Sequence, residues 1–282
     1  MATRSDRMVV KKKFGGVWKM IRILENLRIV KEEEIYDALL DVGLSSKTYG
    51  TDKGVILDTR PFDVAEWSEL KVISRVGVGL DNIDLEECKK RGVKVYTTPC
   101  RELTDAVVEF TIKLILDLMR SNAKGRNLSS MTVGVIGCGR IGERLAFSLI
   151  VFGCEVFMYD VKNCFDRDLE RLFERSDIVS IHVSGNDCVV GDKELLKMKI
   201  GSYLVNTARG GCIDETAVSR ALRDGKLAGF ASDVNHDFLV RSFDPNVILT
   251  PHIASSTVEA RTAMERMAVS NLVKGLKECL ES

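Results

Sequence analysis

From Ile21 onward, short β-branched runs alternate with amphipathic stretches: "IRIL", "KEEEIYDALLDVG", "GVILD", "LKVISRV", "DLEECKKRG" and "VKVYTTP". The apolar runs have the length and residue types of strands, and the charged intervals carry apolar residues at helical spacing. Their alternation predicts a parallel sheet with helical connections. The longer stretch "LTDAVVEFTIKLILDLMR" is apolar at Ala106, Val107, Phe110, Leu114, Ile115 and Met119. That spacing predicts a long buried helix, with Thr104 as N-cap and Asp105 in the first turn.

The polar run "SNAKGRNLSS" reads as a connector, after which a second strand series opens: "TVGVIG", "EVFMYD", "DIVSIH", "SYLVNT", "LAGFASDV" and "NVILT". Helical text separates most of these strands, which predicts a doubly wound sheet. Beyond "PHIASS", Thr257 to Leu280 reads as one helix, apolar at Ala260, Ala263, Met267, Leu272, Val273 and Leu276. A boundary is therefore expected between residues 100 and 130, and a chain of 282 residues suits two medium domains better than one core.

Composition narrows the functional classes. Lys plus Arg and Asp plus Glu both number 41, so no global field attracts nucleic acid or an anionic membrane, and an anionic ligand must be held locally. The 8 cysteines are scattered without a CxxC pair, which predicts free thiols in a reducing cytoplasm. The 3 histidines lack metal-ligand spacing, so no metal site is expected. No apolar run reaches the length of a membrane span. Residues 1–19, with Arg4, Arg7, Lys11, Lys12, Lys13 and Lys19, read as a disordered basic extension ahead of the fold.

Within the second series, "VGVIGCGRIGERLA" sets Gly137, Gly139 and Gly142 directly after a strand and at the head of a helix. This context predicts a tight turn that lets a diphosphate approach the backbone, with the helix N-terminus supplying N–H donors. Asp160 closes the next strand, 18 residues beyond Gly142, where a carboxylate accepts from ribose hydroxyls and disfavours a 2′-phosphate. NAD is the cofactor this predicts. "VNTARGG" aims Arg209 over the carboxyl edge of the sheet, where its fork suits a carboxylate and a carbonyl oxygen. His252, just past a strand in "ILTPHIASST", is placed for proton transfer, whereas His182, ending "DIVSIH", is read as lining a pocket.

The stretches "RVGVGLDNIDLEECKKRGVKVYTTP", "LTDAVVEFTI", "VGVIGCGRIG", "DIVSIHV", "LVNTARGGCIDE" and "TPHIASST" together resemble the D-isomer-specific 2-hydroxyacid dehydrogenase family. That family includes phosphoglycerate, glyoxylate, hydroxypyruvate and D-lactate dehydrogenases. The resemblance implies two Rossmann-like, doubly wound α/β domains with the active site in the cleft between them. Residues 20–102 plus 261–282 would form the substrate domain and 103–260 the dinucleotide-binding domain. It implies that Arg209 binds the substrate's carboxylate and 2-oxo oxygen, that His252 exchanges the hydroxyl proton, and that backbone amides at Val76, Gly77 and Val78 hold the carboxylate. Thr104, Arg140, Ile141, Asp160, Thr207, Ala208 and Asp233 would line the cofactor. A homodimer acting on a small molecule is the implied assembly.

The family's histidine-orienting glutamate falls at Phe238 here, and Asp237 stands one residue early, where a one-residue shift would let its carboxylate substitute. "RVGVGLDNIDL" makes 3-phosphoglycerate the first substrate expectation, with Arg60, Arg75 and Arg101 as phosphate candidates, and glyoxylate or hydroxypyruvate the next. The alternative is an NAD(H)-binding sensor of the same fold, resembling corepressors, with little catalysis.

Overall fold

The computed structural model describes residues 21–23, 30–31, 34–35, 37–38, 53–120, 125–162, 168–234 and 246–281. The basic N-terminal extension lies outside these residues. The chain divides into two compact units, Met1–Cys100 with Arg261–Ser282, and Arg101–Ala260.

In the first unit, β1 (Ile21–Ile23), β2 (Gly54–Leu57), β3 (Val72–Arg75) and β4 (Lys94–Tyr96) form a parallel sheet in simple chain order. Val55, Leu57 and Ile73 pack with Val64, Ile83, Cys88 and Val93, where α1 (Leu85–Lys90) lies, capped by the Asp84 carboxylate accepting from the Glu87 N–H. The C-terminal helix, whose range is given below, is hydrogen-bonded to this sheet and the loop after it. The Ser74 hydroxyl donates to Ala268 O, the Asn271 amide to Thr97 O, and Lys94 and Tyr96 both donate to Glu278. The hydrogen bond from Lys94 holds the Glu278 carboxyl below its usual range.

The second unit opens with α2 (Arg101–Arg120) and continues through β5 (Thr132–Ile136), α3 (Arg140–Val151), β6 (Glu155–Tyr159), α4 (Leu169–Arg175), β7 (Ile178–Ile181) and α5 (Asp192–Lys197). It is completed by β8 (Ser202–Asn206), α6 (Glu215–Arg223), β9 (Leu227–Ser232), β10 (Val247–Leu249) and the start of α7 (Val258–Leu280). Its six strands are all parallel, in the order β10-β9-β8-β7-β5-β6. The order reverses at β5, so β5 and β7 part their connections to opposite faces and leave a crevice at their carboxyl ends. Val133, Val135, Val205 and Ala231 point to one face, against Leu114, Ile115 and Leu118 of α2 and Leu145 and Leu149 of α3. Ile136, Val179, Ile181 and Leu204 point to the other, against Phe173, Leu195 and Val218.

Two helix expectations need correction. Helix α2 begins at Arg101, so Thr104 is a buried helical residue and not the cap. On α7 the buried stripe is Ala260, Met264, Ala268, Leu272 and Leu276, and the expected Ala263, Met267 and Val273 are half-buried. Gly275 lies on the buried side as well, where a Cβ would stand 2.8 Å from both Tyr96 Cε2 and Val72 Cγ1, so close approach to the sheet favours the face that carries this glycine.

Candidate active site

Asp160, His182, Arg209, Asp233 and His252 each lie just past the carboxyl end of a strand, as does the glycine turn after β5, whereas Thr104 lies within α2. After β5, Gly137 takes φ +95°, and a Cβ there would stand 2.6 Å from the His182 carbonyl carbon, so only glycine fits between the turns after β5 and β7. At Gly142 a Cβ would meet Gly137 O at 1.9 Å, which is the close strand-to-helix packing the motif demands. Nothing lies within 4 Å of a Cβ built on Gly139. That open space adjoins the N-terminus of α3, where Arg140 and Ile141 begin the helix and their orphan N–H groups face a ready anion site. Asp160, just beyond β6, accepts from the Cys138 N–H at 2.8 Å and the Lys162 N–H at 2.7 Å. The turn, the helix end and the carboxylate are therefore one assembly, and they fit a dinucleotide. Burial, with the Asp160 charge adding, pushes the Cys138 thiol up to about 11, so this buried cysteine is an inert wall of the turn.

Beyond β8, Arg209 is carried on a loop pinned by Asn206. The Asn206 amide donates to Arg209 O at 2.8 Å, and its side-chain oxygen accepts from the Ala208 N–H at 3.0 Å. On the loop's far side the Gly211 N–H donates to Asn186, and Cys212 O accepts from Val189 and Val190. Asn206 is wholly buried. Sequence reasoning passed over it, although a buried asparagine at a strand end inside "NTARGG" is a signal of a braced turn.

His182 closes a chain of neutral groups. Thr111 on α2 donates to Val107 O at 2.7 Å, so its oxygen accepts from the Thr207 hydroxyl at 3.3 Å. Thr207 then accepts from His182 Nδ1 at 3.3 Å, and Nε2 accepts from the Ser180 hydroxyl at 2.8 Å. This assignment makes every group a donor once and selects the Nδ1–H tautomer. Burial pushes the imidazole down to about 4, which keeps the chain neutral. His182 is thus a brace for Thr207, and the pocket-lining expectation becomes a structural role in the same turn.

His252 follows β10 and is exposed, and it is the one non-glycine residue with positive φ, 56°, among the described residues. Its N–H donates to Thr250 O at 3.0 Å. Asp233, expected among the cofactor-lining residues, is 2% exposed and turns its carboxylate toward this loop. It accepts from Thr250 Oγ1 at 2.6 Å, Ile253 N at 2.8 Å and Ala254 N at 2.7 Å. His236, Asp237 and Phe238 lie outside the described residues.

In the first unit, the loop after β3 departs from expectation. The Val76 N–H donates to Leu57 O and the Gly77 N–H to Thr98 Oγ1 at 2.7 Å, so neither amide is open to a carboxylate. Val78 is 36% exposed, and no bond from its N–H or that of Gly79 is found among the described residues. The guanidinium of Arg75 folds back on Val76 O and is buried. Arg60 pairs with Asp58 at 3.1 Å and Arg101 with Asp105 at 3.2 Å. Among the described residues no cluster of three or more His, Cys, Asp or Glu is arranged to hold a metal, and no helix is long and apolar enough to cross a membrane.

Residues 102–254 match the family model described as D-isomer specific 2-hydroxyacid dehydrogenase, NAD binding domain. A glyoxylate reductase of Thermofilum pendens is 39% identical, over 80% of this chain and 76% of that protein. The chain belongs to the D-isomer-specific 2-hydroxyacid dehydrogenase family. A hydroxypyruvate reductase of Thermotoga maritima is 35% identical over 73% of this chain and 78% of its own length. Among solved structures, a D-lactate dehydrogenase of Aquifex aeolicus, complexed with NAD and lactic acid, is 28% identical, covers 89% of this chain and 95% of its own, and superposes with a TM-score of 0.75. As a 2-hydroxyacid dehydrogenase the protein uses NAD, and the glycine turn, α3 and Asp160 are the parts of this chain that fit it.

Proposed function

We propose that the protein reduces glyoxylate or hydroxypyruvate with NADH, yielding the D-2-hydroxy acid where the product is chiral. The observation that carries the reaction is the placement of Arg209 past β8 and His252 past β10, on the carboxyl edge that also holds the glycine turn past β5. NADH supplies the hydride to the carbonyl carbon. Arg209 binds the carboxylate and draws electron density onto the 2-oxo oxygen, and His252 delivers the proton which that oxygen takes up.

The substrate order differs from the one read from "RVGVGLDNIDL". The relative at 39% identity is named a glyoxylate reductase, whereas a D-3-phosphoglycerate dehydrogenase of Haemophilus influenzae is 32% identical and only 63% of it is covered. Arg60, Arg75 and Arg101, the phosphate candidates, are each engaged within the protein's own structure. The test is NADH oxidation with glyoxylate, hydroxypyruvate, phosphohydroxypyruvate and pyruvate. Faster turnover of the first two supports the reading. A preference for phosphohydroxypyruvate restores the phosphoglycerate assignment, and NADH binding without turnover of any 2-oxo acid leaves the sensor.

The reading includes a homodimer in the cytoplasm. Phe147, Ile150, Val151 and Phe152 of α3 and its C-cap are exposed in the single chain, at 66%, 53%, 88% and 51%, and free buried thiols at Cys88, Cys138, Cys154 and Cys212 suit a reducing compartment. Sedimentation velocity reads the assembly directly, and a monomer at micromolar concentration removes it from the proposal.

A further inference from the structure

We infer that Asn186, on the loop that leaves β7, is a positioning residue for Arg209, and that this one loop carries the Arg209 turn at both of its ends. The inference rests on the reading of Arg209 as the group that binds the 2-oxo acid.

Arg209 is not aimed by its own backbone. Its φ of −142° and ψ of 152° are extended, a conformation that any residue adopts and that fixes no turn by itself. Its guanidinium donates back to Ala208 O at 2.8 Å, so the head of the side chain also takes its place from the turn. The aim of Arg209 therefore depends on what holds the residues before and after it. Two residues before, the Thr207 hydroxyl accepts from His182 Nδ1, at the start of the β7 exit loop. Two residues after, the Gly211 N–H donates to Asn186 Oδ1 at 2.9 Å, further along the same loop. The turn is a bridge with both feet on residues 182–190.

The second foot is built for close approach. A Cβ on Gly211 would stand 2.6 Å from both Asn186 O and Asn186 Oδ1, so the glycine is what lets the asparagine close on the backbone. Beyond it the two segments are joined by a seam. Cys212 Sγ donates to Gly185 O at 3.3 Å, Cys212 O accepts from the Val189 and Val190 N–H groups at 2.9 and 3.1 Å, and the Asp214 N–H donates to Val190 O at 2.9 Å. Val190 and Cys212 are wholly buried, so the seam is a fixed base. Asn186 and Gly211 are exposed and lie on the Arg209 side of Cys212. The buried seam thus serves the fold, and the exposed pin serves the turn. Only an acceptor can fill the place of Asn186 Oδ1, because the group it meets is an N–H. The fork of Arg209 must reach a carboxylate and a carbonyl oxygen together, which tolerates little rotation at its root. Misplacement of such a group by about 1 Å costs on the order of 10²-fold in rate.

The test compares Asn186→Ala, Asn186→Asp, Arg209→Lys and the double variant Asn186→Ala/Arg209→Lys, with folded sites counted by NADH titration and stability read by urea unfolding. In Asn186→Ala, kcat/KM for glyoxylate is expected to fall about tenfold, with both kcat and KM moving, while the NADH Kd stays within about twofold of the parent. The urea midpoint is expected to stay at the parental value, because the substituted side chain is exposed. Asn186→Asp keeps the acceptor in place and is expected to recover kcat, its added charge acting on KM for the anionic substrate. In the Arg209→Lys background the alanine substitution is expected to cost little more, since the group it positions is already gone. If Arg209→Lys itself keeps parental kcat and KM, the reading of Arg209 fails. If Arg209→Lys is impaired but Asn186→Ala is parental, or loses the same factor in both backgrounds, or lowers the urea midpoint with kcat per NADH site unchanged, Asn186 does not act through Arg209 and this inference is overturned.

Discussion

At His252 and His182 the same residue type does two different things, and the backbone around each decides which. His252 stands exposed on a turn whose amides are held by Asp233, with its ring at the solvent side of the sheet edge. His182 is locked between Ser180 and Thr207, and burial holds its imidazole at about 4 against an ordinary value of 6.5. Because the folded value is the lower, the unfolded chain takes up this proton first as the pH falls. The stability contributed is present above about 6.5, is lost progressively toward 4, and flattens below that. The shift corresponds to roughly 3–4 kcal/mol. Urea unfolding of His182→Asn beside the parent checks it: the variant should be less stable at neutral pH and show a shallower loss between pH 6.5 and 4. At Arg209, replacement by Lys keeps the charge and loses the fork, so KM for glyoxylate is expected to rise about tenfold or more, read from initial rates at saturating NADH.

At the scale of elements, the glycine turn separates folding from binding. Gly139 has ordinary φ of −84° and open space around its missing Cβ, so Gly139→Ala trades chain entropy against a slightly poorer N-cap and stability should move by less than about 0.5 kcal/mol. The added methyl occupies the approach to the N-terminus of α3, and NADH affinity is expected to fall about tenfold or more, measured by fluorescence titration. Gly142→Ala is the converse case: its Cβ would stand 1.9 Å from Gly137 O, which predicts a loss of about 1–3 kcal/mol in unfolding free energy before any ligand is added. Strands and helices were legible here because their periods are local, and Gly137 to Gly142 because the turn is defined within six residues. The start of α2 and the buried stripe of α7 were not. Thr104 looks like a cap, yet the helix extends back to Arg101, and α7 chose its face by where Gly275 lets it meet Tyr96 and Val72.

Over the whole molecule, the scattered cysteines show what packing adds to composition. Burial raises the thiols of Cys88, Cys138, Cys154 and Cys212. Iodoacetamide at neutral pH should therefore leave these four unmodified in the folded protein and reach them only after unfolding, which peptide mapping by mass spectrometry would record. Rapid labelling of Cys138 in the native protein would contradict the closed turn described here.

Local rules sufficed for much of this protein. A period of two or 3.6, a glycine turn between strand and helix, an acid at the end of the next strand, and an arginine and a histidine just past strand ends are all statements about neighbours in the chain; they led to the fold class and to NAD, and they set Arg209 and His252 at strand ends as the candidates proposed above. Tertiary structure decided what those neighbours could not. Which amides of the Val76–Val78 loop are already paired depends on Leu57 and Thr98, which lie about twenty residues away on other strands and loops. The carboxylate that holds the His252 loop is Asp233 because parallel pairing of β9 with β10 sets it beside Thr250. Hydrogen-bond partners are chosen by distance in space, and register between strands is set by the burial of whole faces, so no spacing along the chain encodes them.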